Sequence, residues 1–255
     1  MAIPDELSKT QIDRLGDRLR TADISEADLR LLDSYRRSFT AVYQSIVGQI
    51  RDQLGLKPTG RPAKSTTSIS EKLRRESIRF SQMQDIAGCR VIVENTLTQD
   101  EVVTQLKGLV PKWAVIDRRE HPSHGYRAVH FVADYSGKLI EIQIRTSFQH
   151  LWAELSEKAS DIVDPAIKYG GGDDETRSVL MLASKSIETL EEAEHIFLQG
   201  LRTIGLEKGS PDEMDPDILQ TQERIRDLRE SLPTLLDRVG ELIPKMKGRK
   251  NDISD

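Results

Sequence analysis

The chain has 255 residues, 37% hydrophobic and 31% charged, with a formal net charge of −5. No run approaches the roughly 18 apolar residues that a membrane helix needs, and the stretch from Met1 to Gln11 lacks the apolar core of a secretory signal. The single cysteine, Cys89, excludes an intrachain disulfide and a cysteine-based zinc cage; these features predict a cytoplasmic protein without a membrane partner.

Residues 5–55 read as two helices. The first carries Leu7, Ile12, Leu15 and Leu19, and the second runs from about Ser25 with apolar residues at steps of three and four through Leu54. Lys57 to Pro62 reads as a breaker. The next helix is expected from Ser68, where Ser68-Ile69-Ser70-Glu71 fits a capping box. Cys89 to Val93 reads as a buried strand with an inert thiol at Cys89, and Asp100 to Leu109 as a short helix. Ala114 to Ile116, Val129 to Tyr135 and Leu139 to Ile144 read as strands, with Ser136-Gly137-Lys138 as a hairpin turn between the last two. Residues 147–160 return to helical spacing. Gly170 to Gly172 reads as a flexible link, 176–203 as an amphipathic helix, and Gly205 to Pro216 as a loop. Residues 217–247 read as helix interrupted near Pro233 and Pro244, followed by a frayed tail from Lys247. The fold class is α+β, a mixed sheet flanked by helices. The expected domains are N-terminal helices over 1–56, a core over 57–172 and a helical extension over 173–255.

Charge is uneven. The last third is acidic, whereas Lys57 to Arg79 is strongly basic. A basic cluster in an acidic chain points to a dedicated polyanion site, with a solvated helix face as the alternative. Ser68, Lys72 and Arg75 share one helix face, and Arg61 and Lys64 lie on the segment feeding its start. A helix N-terminus already attracts anions, so the cluster could take a triphosphate. No P-loop pattern is present. Asp85 sits at the mouth of a strand. The segment Leu139 to Thr146 alternates, so Glu141, Gln143 and Arg145 face away from Ile140, Ile142 and Ile144. Carboxylates on two strands, Asp85 and Glu141, can hold magnesium against substrate phosphates; Glu141 could also accept a hydroxyl proton. In Gly125-Tyr126-Arg127-Ala128-Val129-His130, Tyr126 could stack on a base and His130 could touch a phosphate or hydroxyl.

Together these residues resemble the RelA/SpoT-type synthetase family. The motifs are Lys64-x3-Ser68-x3-Lys72-x2-Arg75, Asp85-Ile86-Ala87-Gly88-x-Arg90, Gly125-Tyr126-Arg127-x-x-His130 and Glu141 to Thr146, with Trp152 following. The resemblance implies a nucleotidyltransferase-like fold that moves the β,γ-diphosphate of ATP to a ribose 3′-hydroxyl and releases AMP. It implies ATP held by Arg61, Lys64, Ser68, Lys72, Arg75 and Arg90, with Arg61 and Arg90 on the adenine. Asp85 and Glu141 would bind Mg2+, with Glu141 activating the hydroxyl. Tyr126, His130 and Gln143 would serve the acceptor, with Arg145 beside them. Many members place an arginine two residues before the lysine; here Arg61 stands three before Lys64. There is no His-Asp dipeptide, and with no room for the family's hydrolase domain no degradation activity is expected.

The acceptor loop, Asp117 to Tyr126, lacks the lysine that small alarmone synthetases commonly set against the 5′-phosphates of GDP or GTP, and His150 stands where an asparagine is common. Together with Leu151 to Lys158 and Lys168 to Gly172, this is similar to the toxic branch of small alarmone synthetases. That branch implies the 3′-CCA end of tRNA as acceptor, translation inhibition and a protein antitoxin as partner. Arg36, Arg37, Arg118, Arg119 and Lys158 could follow a tRNA backbone. GDP or GTP as acceptor, with (p)ppGpp as product, or an adenine nucleotide giving an adenosine alarmone, is the second expectation. A silent nucleotide-binding regulator is the third. A homo-oligomer is compatible with the sequence.

Overall fold

The structure, a computed structural model, describes residues 7–21, 23–206 and 214–251, the stretch from 245 by its backbone alone. Three helices open the chain: α1 (Lys9–Thr21), α2 (Glu26–Arg37) and α3 (Thr40–Leu54). The expected second helix is therefore two. Ser38 ends α2, its N–H donating to Ser34 O at 3.1 Å, and Phe39 opens α3. Phe39 is 1% exposed and packs edge-on to Tyr35, so an apolar residue at the break keeps the stripe in phase and hides it.

Helix α3 ends before Lys57 as expected, and the breaker contains a strand, β1 (Thr59–Arg61), antiparallel to β2 (Ala87–Val93) with Gly60 opposite Cys89. A Cβ at Gly60 would lie 2.3 Å from Gly88 O. The pairing thus depends on glycine, and three residues without apolar alternation give no strand signal. Helix α4 (Thr66–Arg75) starts before Ser68. Its cap is Ser65, whose side chain accepts from Ser68 N at 3.2 Å. Then come α5 (Thr96–Leu109), β3 (Trp113–Asp117), β4 (Val129–Tyr135) and β5 (Lys138–Thr146). The result is the expected mixed sheet flanked by helices, in the order β1-β2-β5-β4-β3. Ser136 and Gly137 both have positive φ, 53° and 82°, as a two-residue hairpin turn requires. Ile140, Ile142 and Ile144 are fully buried, so the alternation of β5 correctly marks its core face.

The chain divides into two compact units. The first gathers residues 1–91, 102–116 and 130–144; the second gathers 92–101, 117–129 and 145–255. The second is mainly α6 (Ser147–Ile162), α7 (Asp174–Thr203) and α8 (Pro216–Asn251), packed around Phe148, Trp152, Leu180, Ile187, Leu236 and Ile243. Three expectations change here. Gly170 to Gly172 is a folded turn: Gly171 N donates to Ala166 O at 2.9 Å, and a Cβ on Gly172 would lie 2.6 Å from Ile167 Cγ1. These glycines serve close packing instead of slack. Pro233 and Pro244 lie inside a continuous α8; around Pro233, Leu232 on one side and Leu236, Val239 and Ile243 on the other anchor the helix across the missing N–H. The helix backbone also continues through 247–251, where fraying was expected; 252–255 and the 207–213 part of the expected loop lie outside the described residues. No helix among the described residues is long and apolar enough to cross a membrane.

Candidate active site

In the first unit the centre is Asp85, on the segment leading into β2. Lys64 Nζ lies 2.7 Å from its Oδ2, and Lys72 Nζ lies 2.9 Å from its Oδ1. Lys64 immediately precedes the Ser65 cap, and Lys72 comes from the last turn of α4. The backbone fixes this approach twice: Lys64 N donates to Ile86 O at 2.6 Å, and Arg36 Nε of α2 donates to Lys64 O at 2.7 Å. Burial pushes the Asp85 carboxyl up, but Lys72 and Lys64 outweigh it and hold it below the usual carboxylate range.

Glu141 forms the second half. Its Oε1 lies 2.8 Å from His130 Nδ1 of β4, and its Oε2 accepts from Gln143 Nε2 at 2.7 Å. Burial again pushes the carboxyl up; His130 and Gln143 bring it below the ordinary value, while Asp85 opposes them. The two carboxylates thus sense each other across β2 and β5, neighbours in the sheet. Gly88 permits this proximity, since a Cβ there would lie 2.7 Å from Glu141 O. Two carboxylates that repel one another form an oxygen-only donor pair of the kind a hard divalent cation accepts. Among the described residues no group of three or more His, Cys, Asp or Glu side chains could hold a metal. Substrate phosphates and water would have to complete any coordination sphere.

Arg61 and Arg90 lie on one face of the β1–β2 pair, because Arg90 stands opposite Thr59, two residues from Arg61. Arg90 Nε is buried without a hydrogen-bond partner, a donor prepared for something besides the chain itself. Ser68 Oγ accepts from Ser65 Oγ, and Arg75 pairs at 3.1 Å with Glu76, whose other oxygen lies 3.9 Å from Lys72 Nζ. Cys89 is buried, as expected, and burial pushes its thiol up to about 12.

Tyr126 and Arg145 belong to the second unit. Arg145 Nη2 donates to the Tyr126 hydroxyl at 3.0 Å, and its guanidinium carbon lies 5.0 Å from the ring centroid. Tyr126 follows a tight turn at His124 and Gly125, both with positive φ. Ser184 Oγ donates to Gly125 O at 2.6 Å, and a Cβ at Gly125 would lie 2.8 Å from Trp152 Cζ2. Upstream, Arg119 is enclosed by acceptors: Nη2 lies 2.6 Å from Asp117 and 2.7 Å from Asp100. Arg127 donates to Arg119 O at 2.8 Å and pairs with Glu188 at 2.9 Å. The expected backbone-following role of Arg36 and Arg119 therefore gives way to internal bonds. Sequence reasoning missed that Arg36 positions Lys64, because a helix-face arginine gives no sign of a carbonyl partner 28 residues away.

Residues 60–161 match the family described as "Region found in RelA / SpoT proteins". An uncharacterized protein of Mycobacterium tuberculosis (strain ATCC 25618 / H37Rv), Rv1366, is 33% identical over 133 residues, covering 50% of this chain and 48% of its own. The chain thus spans about half the length of the curated relatives it matches. The crystal structure of the small alarmone synthetase 1 from Bacillus subtilis is 27% identical, covering 66% of this chain and 97% of its own, with a TM-score of 0.50. The same synthetase bound to its product pppGpp is 27% identical over 69% of this chain and 98% of its own, at 0.51.

Proposed function

We propose that this chain is an ATP-dependent pyrophosphokinase that transfers the β,γ-diphosphate of ATP to a ribose 3′-hydroxyl and releases AMP. The observation that carries this reading is the pairing of Lys64 and Lys72 on Asp85 beside a Glu141 held ionised by His130 and Gln143. The similarity to a small alarmone synthetase and the match to the RelA/SpoT region support it.

In this reading Lys64 and Lys72 take the ATP phosphates, with Ser68 and Arg75 along the same helix, while Arg61 and Arg90 hold the adenine. Asp85 and Glu141 would hold Mg2+, which would supply charge neutralisation at the phosphate oxygens, most of what phosphoryl transfer requires. Glu141 accepts the proton of the 3′-hydroxyl as that oxygen attacks the β-phosphorus. The bond from the β-phosphorus to the α,β-bridging oxygen breaks, and AMP leaves with that oxygen.

For the acceptor we favour the 3′-CCA end of tRNA, with Tyr126 and Arg145 on the acceptor side, so that the modified end can no longer be charged. The support is the loop itself. It lacks a lysine, and Arg119 is already neutralised by Asp117 and Asp100, which leaves Arg118 as the one loop arginine to face a free 5′-polyphosphate. A second reading, GDP or GTP as acceptor, draws on the similarity to the pppGpp-bound Bacillus synthetase. Incubation with γ-labelled ATP, magnesium and either bulk tRNA or GDP/GTP separates the two. Label on tRNA is expected; label on a guanosine product alone replaces the first acceptor with the second, and label on neither removes the transferase reading.

A further inference from the structure

Helix α8 carries two apolar stripes. Leu232, Leu236, Val239 and Ile243 pack on the core of the second unit. Leu228, Leu235 and Leu242 do not: they are 53%, 51% and 53% exposed. These three recur every seven residues, a step that returns a helix to within about 20° of the same direction. They form a row along the outside of the helix, about 100° round from Leu236 and Ile243. With Ile225, Leu232 and Val239 between them, apolar residues follow the alternating three–four spacing of a helix that pairs with another helix.

The charges beside this row are complementary to themselves. Arg224 and Arg238 lie on one flank, and Asp227 and Glu241 lie on the same flank. All four are exposed, and none has an ion pair among the described residues. The two arginines are separated by the same fourteen positions as the two acids. When two identical helices pack antiparallel about a two-fold axis, like flanks meet. One register then sets Arg224 against Glu241 of the second copy and, at the same time, Arg238 against Asp227 of the second copy. That register also seats each Leu228 between Leu235 and Leu242 of the other helix. A parallel pairing brings this flank against the apolar side of the helix and leaves all four charges unmatched.

We propose that the outer face of α8 is a self-association surface on which two copies of this chain pair antiparallel through Leu228, Leu235 and Leu242. The dimer buries the leucine row and satisfies both ion-pair sets. It uses none of the residues assigned to ATP or to transfer, and it stands whatever the acceptor is.

Analytical ultracentrifugation of the full chain at micromolar concentration tests this. The wild type is expected as a dimer, and Leu235→Lys as a monomer with an unchanged circular dichroism spectrum, because Leu235 lies outside the core. Arg238→Glu is expected to weaken the dimer at least tenfold, and the added Asp227→Arg is expected to restore it. Within one helix residues 227 and 238 are about 16 Å apart along the axis, so only pairing between copies explains that rescue. A wild type that stays monomeric, whether or not another protein binds this face, overturns the proposal. So does a dimer indifferent to Leu235→Lys, or an Arg238→Glu defect that Asp227→Arg deepens.

Discussion

His130 Nδ1 lies 2.8 Å from Glu141 Oε1, and this contact, with Gln143, keeps a buried carboxylate ionised against the opposing effects of burial and Asp85. Removing it leaves those two effects in command. His130→Asn is therefore expected to raise the Glu141 pKa and move the acid limb of the pH–kcat/KM profile to higher pH. Glu141→Gln is expected to abolish transfer while sparing ATP binding. Transfer assays across pH, with ATP titrations by calorimetry, check both; an unmoved limb removes His130 from the tuning of Glu141.

Asp85 stands between two ammonium groups, and replacing it with Asn leaves those cations 2.7 and 2.9 Å from a neutral amide. The variant is expected to lose about 1–3 kcal/mol, the range for a broken polar pair. The sign with pH follows from the depressed carboxyl. Its stabilisation is fully present above the ordinary aspartate value of about 4 and is lost as pH falls through the lower folded value. The melting-temperature gap between wild type and Asp85→Asn should accordingly narrow toward acid pH. Without metal, Asp85→Asn should bind ATP more tightly than wild type, because no carboxylate competes with phosphate for Lys64 and Lys72. Calorimetry in EDTA reads this directly, and weaker binding there contradicts that competition.

The strands of the sheet were legible because burial imposes a period of two: Val129 to Tyr135 has its observed bounds, and β5 needed one residue added before and two after. What escaped were features whose causes are not periodic. β1 exists through a glycine contact, the α2–α3 break through a buried Phe39 that preserves the stripe, and the start of α4 through competition between two serines for one cap. Within the site, Lys64, Lys72 and Asp85 were each legible as candidates, yet their mutual contacts were not, because pairing between segments 13 and 21 residues apart depends on how α4 approaches β2. The commitment of Arg119 to Asp117 and Asp100 was hidden for the same reason.

Arg36 acts on the site through the backbone, donating to Lys64 O at 2.7 Å. Arg36→Met keeps much of the stem and removes the donor. The expected cost is about 1–2 kcal/mol of stability, with a raised KM for ATP and a smaller change in kcat, since Lys64 loses its fixed approach. Steady-state kinetics at saturating acceptor separate the two parameters; a fall in kcat alone would mean that Arg36 acts elsewhere.

Glu191 of α7 is 5% exposed and accepts from Thr146 Oγ1 and, at 3.0 Å, from Gln149 Nε2. Thr146 and Gln149 are the two members of the capping box that starts α6, so this carboxylate braces the end of β5 just after Arg145. Burial pushes its pKa up, and the hydrogen bonds from Thr146 and Gln149, together with the positive charges of Arg119 and Arg127, only partly oppose that. The folded chain thus holds this proton more tightly than the unfolded chain. The stability it contributes is present below the ordinary glutamate value of about 4.3 and declines as pH rises through the higher folded value. Glu191→Gln keeps the shape and cannot ionise. Its melting temperature relative to wild type is expected to be lowest in acid and to climb through the neutral range, as wild type alone bears the cost of a buried charge. Thermal melts of both proteins from acid to mildly alkaline pH measure that difference. A gap that stays constant with pH means that Glu191 titrates alike in the folded and unfolded chains.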